Sequence, residues 1–321
     1  MISNEAMRTA PCREFRTLSL AGGGVRGIIT ATVLSEIEKW TQTPISKLFD
    51  LIAGTSTGGL IAMALTAPGP VPSEPKFSAR VLVDGYNDLA SKIFYRDWWW
   101  CCKTALGIEG PKYPTSGIEN VAEQYFGPAR ISDALTKLAI PSYEVTEDRV
   151  WTFSEKDNLP MKDVLRATTA APIYFSPKEL TLNGVTYNFV DGGMAANNPA
   201  AVALSLTPKQ AEVFSLSIGT GAYSNKIAPG RAKNWGAAGW IFEGGLIETI
   251  FDGSSQATDL EMRRDLGERF ISLQTPISEK HSALDNASES NLRYLAEQAR
   301  IMIENNEELF RDLCHKLEKG K

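Results

Sequence analysis

The sequence predicts an α/β fold, in which strands and helices alternate along the chain. Short apolar runs of strand length, such as residues 213–218, alternate with longer segments of helical periodicity, such as residues 25–40. Two of the predicted strands end in glycine-rich turns that lead directly into a helix, as is typical of α/β proteins. With 321 residues, of which 43% are hydrophobic, the chain is long enough to bury a large core.

The first glycine-rich turn follows a predicted strand over residues 15–21 and consists of Gly22, Gly23 and Gly24. Backbone N–H groups converge at such a turn, where the following helix favours negative charge. Two interpretations stay open. The turn is an oxyanion hole, or it is a phosphate-binding loop, because the stretch up to Gly27 matches G-x-G-x-x-G. The second strand lacks the acidic residue at its end that would hold a ribose, which favours the oxyanion hole.

The second turn carries a serine between the next predicted strand and helix. Gly54-Thr55-Ser56-Thr57-Gly58 matches G-x-S-x-G in this context, an arrangement that exposes the serine hydroxyl at the edge of the sheet. A side chain at Gly54 or Gly58 would collide with the neighbouring strand or helix as the backbone reverses. Ser56 is therefore a candidate nucleophile, with an ordinary loop serine as the alternative.

A proline-rich loop over residues 68–75 and a predicted helix over residues 77–95 precede the most unusual composition in the chain. Three consecutive tryptophans follow: Trp98, Trp99 and Trp100. Amphipathic aromatic side chains favour membrane interfaces and apolar ligand grooves, so this cluster is either a docking surface or the wall of an acyl pocket. A cluster buried in the core is the alternative.

The alternation continues through the middle of the chain, where the predicted elements are a loop over 107–115, helices over 118–126 and 131–135, strands over 138–145 and 150–153, a helix over 161–170, and strands over 179–182 and 185–190. Asn183-Gly184 is a strong signal for a hairpin between the last two strands. The second arm runs into Asp191, Gly192 and Gly193. An aspartate before glycines usually marks a turn, but α/β proteins place site residues at strand ends, so Asp191 is also a candidate site residue.

The C-terminal part is predicted to contain strands over 213–218 and 270–274 and helices over 235–251 and 254–266. From Ser288 onward, apolar residues recur at steps of three and four residues, which predicts a helical tail with one apolar stripe. We expect this tail to pack on the main domain or on a second subunit.

Composition argues against several partners and locations. The formal net charge of -5 argues against binding to a nucleic acid polymer, which normally requires a basic face. No apolar run reaches the roughly 18 residues that a membrane-spanning helix needs. No basic start followed by an apolar segment opens the sequence, so we expect a cytoplasmic protein with peripheral membrane association, while secretion without a cleavable signal stays open.

Three ordered motifs make this sequence resemble the patatin-like phospholipases: Gly-Gly-Gly-Val-Arg-Gly at 22–27, Gly-Thr-Ser-Thr-Gly at 54–58 and Asp-Gly-Gly at 191–193. Three further blocks look like that family: Ala-Ala-Pro at 170–172, Asn-Asn-Pro at 197–199 and Ser-Ile-Gly-Thr-Gly at 217–221. The resemblance covers residues 15–275. It implies a three-layer α/β/α sandwich with a mostly parallel central sheet. Residues 1–14 are then an N-terminal tail, and residues 276–321 a C-terminal helical extension packed on the domain.

The resemblance also implies cleavage of glycerolipid acyl esters, of the phospholipase A or lysophospholipase type, by a Ser–Asp dyad with no metal or other cofactor. In that interpretation Ser56 is the nucleophile, Asp191 is its base, and the glycine turn is the oxyanion hole. The supporting residues are Arg26, Gly27, Gly54, Gly58, Gly192 and Gly193. Arg26 either steadies the glycine turn or meets the lipid phosphate. The family often has aspartate where this chain has Ala21, a departure that lies outside the dyad.

The implied partners are a membrane phospholipid or lysophospholipid as substrate and a transient contact with the membrane surface. A small-molecule or protein activator and a homo-oligomer stay open. The competing enzyme hypothesis is a Ser-Asp-His esterase that uses His281, which follows Ser56 and Asp191 in the order of α/β-hydrolases but lies in a polar stretch predicted to be a solvated loop. Two hypotheses from different classes also stay open: a nucleotide-binding module using the 22–27 loop and an inactive lipid-binding descendant.

Overall fold

The computed structural model describes residues 13–104, 109–223, 227, 229–236, 239–240 and 245–319. Within these residues eight strands form one sheet: β1 (Phe15–Leu20), β2 (Leu51–Gly54), β3 (Lys137–Glu144), β4 (Arg149–Phe153), β5 (Lys178–Leu182), β6 (Val185–Asp191), β7 (Val213–Ile218) and β8 (Phe270–Leu273). The α-helices in the same ranges are α1 (Gly27–Thr41), α2 (Ile45–Leu48), α3 (Thr57–Thr66), α4 (Ala79–Ile93), α5 (Trp98–Lys103), α6 (Ser116–Phe126), α7 (Met161–Thr168), α8 (Gly193–Ala196), α9 (Ala200–Ser205), α10 (Leu246–Leu266), α11 (Glu289–Asn305) and α12 (Glu307–Lys319).

The sheet is mostly parallel, as predicted. Its strand order is β5-β6-β3-β2-β1-β7-β8, with β4 paired to β3. The run from β3 through β2, β1 and β7 to β8 is parallel, whereas β4, β5 and β6 add antiparallel ladders on one side. Because parallel neighbours align their carboxyl ends, the turns that follow β1, β2 and β7 meet at one edge of the sheet.

Helices cover both faces of the sheet, which gives three layers. Successive side chains of a strand point to opposite faces. Along β2, Ile52 belongs to the larger hydrophobic core, with residues of α1, α3, α4 and α11. Leu51 and Ala53 belong to a smaller cluster on the other face, together with Ala203 of α9. The predicted three-layer α/β/α arrangement is confirmed.

The first strand and helix lie at the centre of the larger core because most of their residues are buried. β1 is buried along nearly its whole length, as expected for a parallel strand covered on both faces. The buried apolar residues of α1 are Ile28, Ile29, Ala31, Val33, Leu34 and Ile37. A 3-10 turn at Gly24–Arg26 joins the two elements, so α1 begins at Gly27 rather than at residue 25 as predicted.

One continuous helix covers the end of the helix predicted over 235–251 and the whole of the helix predicted over 254–266. α10 runs unbroken through Gly253, and Trp235 has extended backbone geometry. Glycine inside a helix costs roughly 1 kcal/mol relative to alanine. Burial of apolar residues in the flanking turns, such as Phe251, offsets that cost and keeps the helix continuous. Residues 239–240 of the first predicted helix are helical, and residues 237–238 and 241–244 lie outside the described residues.

The tryptophans form the short helix α5, in which no residue is buried, so the interpretation as a core cluster is wrong. The helix predicted over 131–135 is a single 3-10 turn at Ile131–Asp133. Parts of the predicted N-terminal tail, of the predicted loop and of the C-terminal extension lie outside the described residues: 1–12, 107–108 and 320–321.

The C-terminal helices pack on the domain itself, the first of the two expected arrangements. Phe310 of α12 is 1% exposed and meets Trp40 of α1 edge to face, with ring centroids 5.4 Å apart. The buried guanidinium of Arg16 in β1 donates to the carbonyl oxygens of Lys316 and Leu317, at 2.7 and 2.6 Å. The tail is therefore part of the core, and the domain boundary proposed at residue 275 stays a prediction.

Phe310 provides a test of this packing. Phe310→Ala is expected to lower the free energy of unfolding by about 3–5 kcal/mol, because a buried aromatic ring is lost and a cavity is left. Leu309→Ala, at the neighbouring position that is 45% exposed, should change it by no more than about 0.5 kcal/mol. Urea unfolding followed by circular dichroism measures both. Equal effects of the two substitutions would contradict the packing of α12 on α1.

Candidate active site

The turn after β2 holds Ser56 in a strained conformation. Ser56 has φ 54° and ψ -120°, a positive φ that residues other than glycine rarely adopt. A Cβ at Gly54 would meet the carbonyl oxygen of Gly58, and a Cβ at Gly58 would meet that of Leu20. The close approach of β1, β2 and α3 therefore requires glycine at both positions, and the serine lies at the carboxyl end of the sheet.

Ser56 is hydrogen-bonded to a buried carboxylate. Its Oγ donates to Oδ2 of Asp191 at 2.7 Å. Asp191 is the last residue of β6, where it pairs with Ser142 of β3, and it is 0% exposed. The second carboxylate oxygen, Oδ1, accepts the backbone N–H of Gly193 at 2.7 Å. The structure thus brings together two residues that are far apart in sequence, with each carboxylate oxygen of Asp191 bonded.

Burial changes the proton affinity of this carboxylate. Desolvation raises the pKa of Asp191 to about 7, although the hydrogen bonds from Ser56 and Gly193 favour the ionised form and oppose the shift. An ordinary aspartate has a pKa of about 3.9 and is a weak base at neutral pH. With a pKa near 7, Asp191 is ionised in a large fraction of molecules at neutral pH and still accepts a proton readily.

Thr168, at the end of α7, joins the serine turn to the aspartate turn. Its Oγ1 accepts the backbone N–H of Ser56 at 3.0 Å and donates to the carbonyl oxygen of Pro141 at 2.6 Å. Its own carbonyl oxygen accepts the N–H of Gly192 at 3.2 Å. One fully buried residue therefore fixes both turns. Thr168 was not predicted, because a threonine near a helix end carries no motif of its own.

The peptide groups of Gly22 are already occupied. Its N–H donates to the carbonyl oxygen of Asn197 at 3.1 Å, and its carbonyl oxygen accepts a hydrogen bond from the hydroxyl Oγ1 of Thr220 at 2.9 Å. The expectation that Gly22 supplies a free N–H donor is therefore wrong. In the part of the chain that the structure describes, the N–H groups of Gly23 and Gly24 have no hydrogen-bonded partner. The Asn-Asn-Pro and Gly-Thr-Gly blocks thus hold the glycine turn in place.

A buried tyrosine of α4 contacts both turns. The hydroxyl of Tyr86 donates to the carbonyl oxygen of Gly24 at 3.4 Å and lies 3.1 Å from Oγ1 of Thr57. Gly24 has a φ of +56°, and a Cβ there would meet the carbonyl oxygen of Leu284, so only glycine fits without strain. Tyr86 was not predicted, because it looks like any core residue of an amphipathic helix.

An apolar cavity of about 50 Å³ adjoins Ser56 and Asp191. The apolar side chains along it include Leu60, Leu89, Ala90, Ile93, Phe94 and Phe175. Tyr86 also lines the cavity, and Ile93 lies seven positions further along α4, on the order of 10 Å along the helix axis. The cavity is therefore a narrow apolar space that extends along α4 away from the Ser56 hydroxyl, a shape that suits a hydrocarbon chain.

Four of the predicted supporting residues lie around the site without lining this cavity: Arg26, Gly27, Gly192 and Gly193. A Cβ at any of these three glycines would meet a neighbouring residue: Tyr86 at Gly27, Pro141 at Gly192 and Phe251 at Gly193. Burial lowers the pKa of the Arg26 guanidinium, which the nearby carboxylate of Asp252 partly opposes. Among the described residues no hydrogen-bond partner is found for its Nε or Nη1. Because Arg26 is 1% exposed, its position favours support of the glycine turn over contact with a lipid phosphate.

His281 is held elsewhere. Its Nδ1 lies 2.6 Å from Oδ1 of Asn291, and its ring stacks on Tyr294 with centroids 3.8 Å apart. The prediction of a solvated loop histidine is wrong. His281 belongs to a 3-10 turn at Glu279–His281, and its half-buried ring packs on Tyr294 of α11. Within the described residues neither Ser56 nor Asp191 has a hydrogen bond to His281.

The fold and this site together define a class of protein. A serine on a strained strand-to-helix turn, bonded to a buried carboxylate beside an apolar cavity, is typical of a serine ester hydrolase. In the residues that the structure describes, no group of three or more His, Cys, Asp or Glu side chains is placed to hold a metal ion. No helix among those residues has the length and apolar character to cross a membrane.

Comparison with known proteins gives the family. Residues 18–204 match the family described as patatin-like phospholipase. A curated relative from Arabidopsis thaliana, patatin-like protein 2, is 31% identical over 76% of this chain and 70% of its own length. The chain belongs to the patatin-like phospholipase family. Members of this family are lipid acyl hydrolases, so the chain is an enzyme of the esterase or phospholipase type.

Other relatives extend the similarity over most of the chain. Patatin-like protein 2 of Oryza sativa subsp. indica is 29% identical over 90% of this chain and 84% of its own length. Patatin-T5 of Solanum tuberosum is 29% identical over 87% of this chain and 81% of its own length. The similarity to these relatives therefore extends beyond the 187 residues that match the family model.

Thr168 offers a test of how the two turns are held. Thr168→Val is expected to lower the free energy of unfolding by about 1–3 kcal/mol, because the N–H of Ser56 and the carbonyl oxygen of Pro141 lose a buried partner. Thr168→Ser keeps the hydroxyl and should retain most of the stability. Urea unfolding of the two variants gives the comparison. If valine were as stable as serine at this position, the proposed bridging role of Thr168 would be refuted.

Proposed function

We propose that this protein hydrolyses acyl esters of glycerolipids, as a phospholipase A or lysophospholipase, with Ser56 as nucleophile and Asp191 as base. The observation that carries the proposal is the 2.7 Å hydrogen bond between Ser56 Oγ and Asp191 Oδ2 at an apolar cavity. The apolar lining of the cavity suits a hydrocarbon chain, and the hydrogen bond gives the hydroxyl proton an acceptor as the oxygen attacks.

The reaction proceeds in two halves. Ser56 Oγ attacks the ester carbonyl carbon and passes its proton to Asp191, and the carbonyl oxygen becomes an oxyanion. Collapse of this intermediate breaks the ester bond, and the departing alcohol oxygen takes the proton from Asp191. Water then attacks the acyl–Ser56 ester, gives its proton to Asp191, and releases the fatty acid as the serine regains its proton. Each half returns Asp191 to the ionised form.

Two features lower the barrier. The N–H groups of Gly23 and Gly24, which have no partner among the described residues, are the donors that the glycine turn offers to the oxyanion, and one such donor contributes about 3–4 kcal/mol in known enzymes. A base whose pKa is near the working pH combines a useful ionised fraction with enough basicity. Asp191, with its pKa of about 7, meets that condition without a histidine.

Two of the three competing functions have less support from the geometry of the site. A Ser-Asp-His esterase would need His281 beside Asp191, but the imidazole is bonded to Asn291 and stacked on Tyr294. A nucleotide-binding loop at residues 22–27 would need polar space for phosphates, whereas the cavity next to Gly24 is mainly apolar. We further propose a cytoplasmic location with transient contact at the membrane surface, because the proposed substrate is a membrane lipid.

Three substitutions test the assignment of roles. Ser56→Ala and Asp191→Asn are each expected to reduce fatty acid release from phospholipid by roughly a thousandfold or more, since the two residues act as a unit. His281→Ala should keep most of the activity and serves as the control. Mass spectrometry of the products from mixed phospholipid vesicles gives the measurement and also identifies the headgroup and acyl position that are cleaved. Loss of activity in the histidine variant would overturn the two-residue mechanism.

The pKa of Asp191 predicts how the rate depends on pH. Protonated Asp191 cannot accept the Ser56 proton, so kcat/KM should fall about tenfold per pH unit below pH 7 and reach a plateau above it. Hydrolysis of a water-soluble ester, such as p-nitrophenyl butyrate, measures this without a membrane. A rate that stayed constant down to the pKa of an ordinary aspartate, about 3.9, would contradict the proposed base.

A further inference from the structure

An exposed aromatic surface, which we call the tryptophan surface, consists of Tyr95, Trp98 and Trp99. Their side chains are 64%, 78% and 70% exposed. Trp98 and Trp99 begin α5, and no residue of that helix is buried. Isolated exposed apolar residues are common, but large aromatic residues grouped on a surface usually mark a binding site. Among the residues that the structure describes, packing does not explain the tryptophan surface.

The tryptophan surface follows directly from the helix that lines the cavity. Ile93 and Phe94, at the end of α4, are lining residues of the cavity next to Ser56. The cavity extends along α4 from Tyr86 towards that end, and Trp98 comes only four positions after Phe94. The exposed aromatics are therefore continuous in sequence with the part of the cavity wall that is remote from the Ser56 hydroxyl.

The charge around the tryptophan surface differs from that of the whole protein. Residues 88–103 contain Lys92, Arg96 and Lys103 against Asp88 and Asp97, a net charge of +1 in a chain whose net charge is -5. Lys92 is ion-paired with Asp88 at 2.7 Å, so Arg96 and Lys103 supply the excess positive charge. The carboxylate of Asp97 accepts the N–H of Trp100 at 2.7 Å and so caps α5. Lys103 Nζ lies 5.4 Å from the centroid of the Trp100 ring. Basic groups therefore flank the aromatics.

We propose that the tryptophan surface docks this protein onto the headgroup region of a phospholipid bilayer. Tryptophan and tyrosine concentrate at membrane–water interfaces because their rings are apolar with one polar group, and flanking basic residues attract lipid phosphates. The proposal rests on the proposed function, whose substrate is a bilayer lipid. Docking at this end of α4 holds the apolar cavity wall close to the bilayer that supplies the substrate.

The test compares the double variant Trp98→Ala/Trp99→Ala with the unsubstituted surface in a binding assay and in a hydrolysis assay. Sedimentation with phosphatidylcholine vesicles, with and without phosphatidylglycerol, measures binding. Binding is measured with Ser56→Ala present in every protein so that no lipid is consumed. The double variant is expected to bind at least roughly tenfold more weakly and to hydrolyse vesicle lipid correspondingly slowly, because each lost ring removes a large apolar contact. Its rate on p-nitrophenyl butyrate should equal that of wild type.

Two control variants sharpen the comparison. Leu260→Ala removes an apolar residue of α10 that is equally exposed, at 70%, and should leave vesicle binding unchanged. Trp98→Phe/Trp99→Phe keeps aromatic rings and should recover most of the binding. Unchanged vesicle binding by the double alanine variant would refute the docking surface. A lower rate of the same variant on the soluble ester would also refute it, because the tryptophans would then support the cavity or the fold.

Failure of the docking proposal is distinguishable from failure of the proposed function. Wild type that hydrolyses the soluble ester but does not bind vesicles overturns docking and leaves the hydrolase intact. Wild type that binds vesicles through Trp98 and Trp99 but cleaves neither ester nor phospholipid supports docking and overturns the hydrolase.

Discussion

The hydrogen bond between Ser56 and Asp191 is the interaction around which the rest of the molecule is arranged. It joins a turn after a parallel strand to the end of an antiparallel hairpin arm, so it forms only when β2 and β6 are both paired with β3. Thr168 bonds to both sides of the junction, which fixes the distance between them. The glycines of the serine turn are needed for the same reason, because larger residues would push β2 and α3 apart.

This arrangement has an energetic cost that the core must offset. The positive φ of Ser56 and the burial of Asp191 both oppose folding. The pKa of folded Asp191, about 7, lies above the value of about 3.9 for an unfolded chain, so its ionisation lowers stability progressively as pH rises between these values and fully above pH 7. The extensive core that α1, α11 and β1 share supplies the compensating burial.

The sequence was sufficient to predict the fold class and the residues that carry a motif. Ser56 and Asp191 follow apolar strands and precede glycines, which is a local pattern that can be recognised without a structure. The occupied N–H of Gly22, and the bridging roles of Thr168 and Tyr86, depend on contacts between distant segments and leave no local signal. Continuity of α10 was missed for a related reason, since tertiary packing overrides the helix-breaking tendency of Gly253.

The central claim is that Ser56 is activated by Asp191 alone. The most direct measurement is the rate at which a fluorophosphonate forms a covalent adduct, with the modified residue located by peptide mass spectrometry. Wild type and His281→Ala should be labelled on Ser56 at similar rates, and Asp191→Asn should be labelled far more slowly. Labelling at another residue, or equal rates in wild type and Asp191→Asn, would contradict the account.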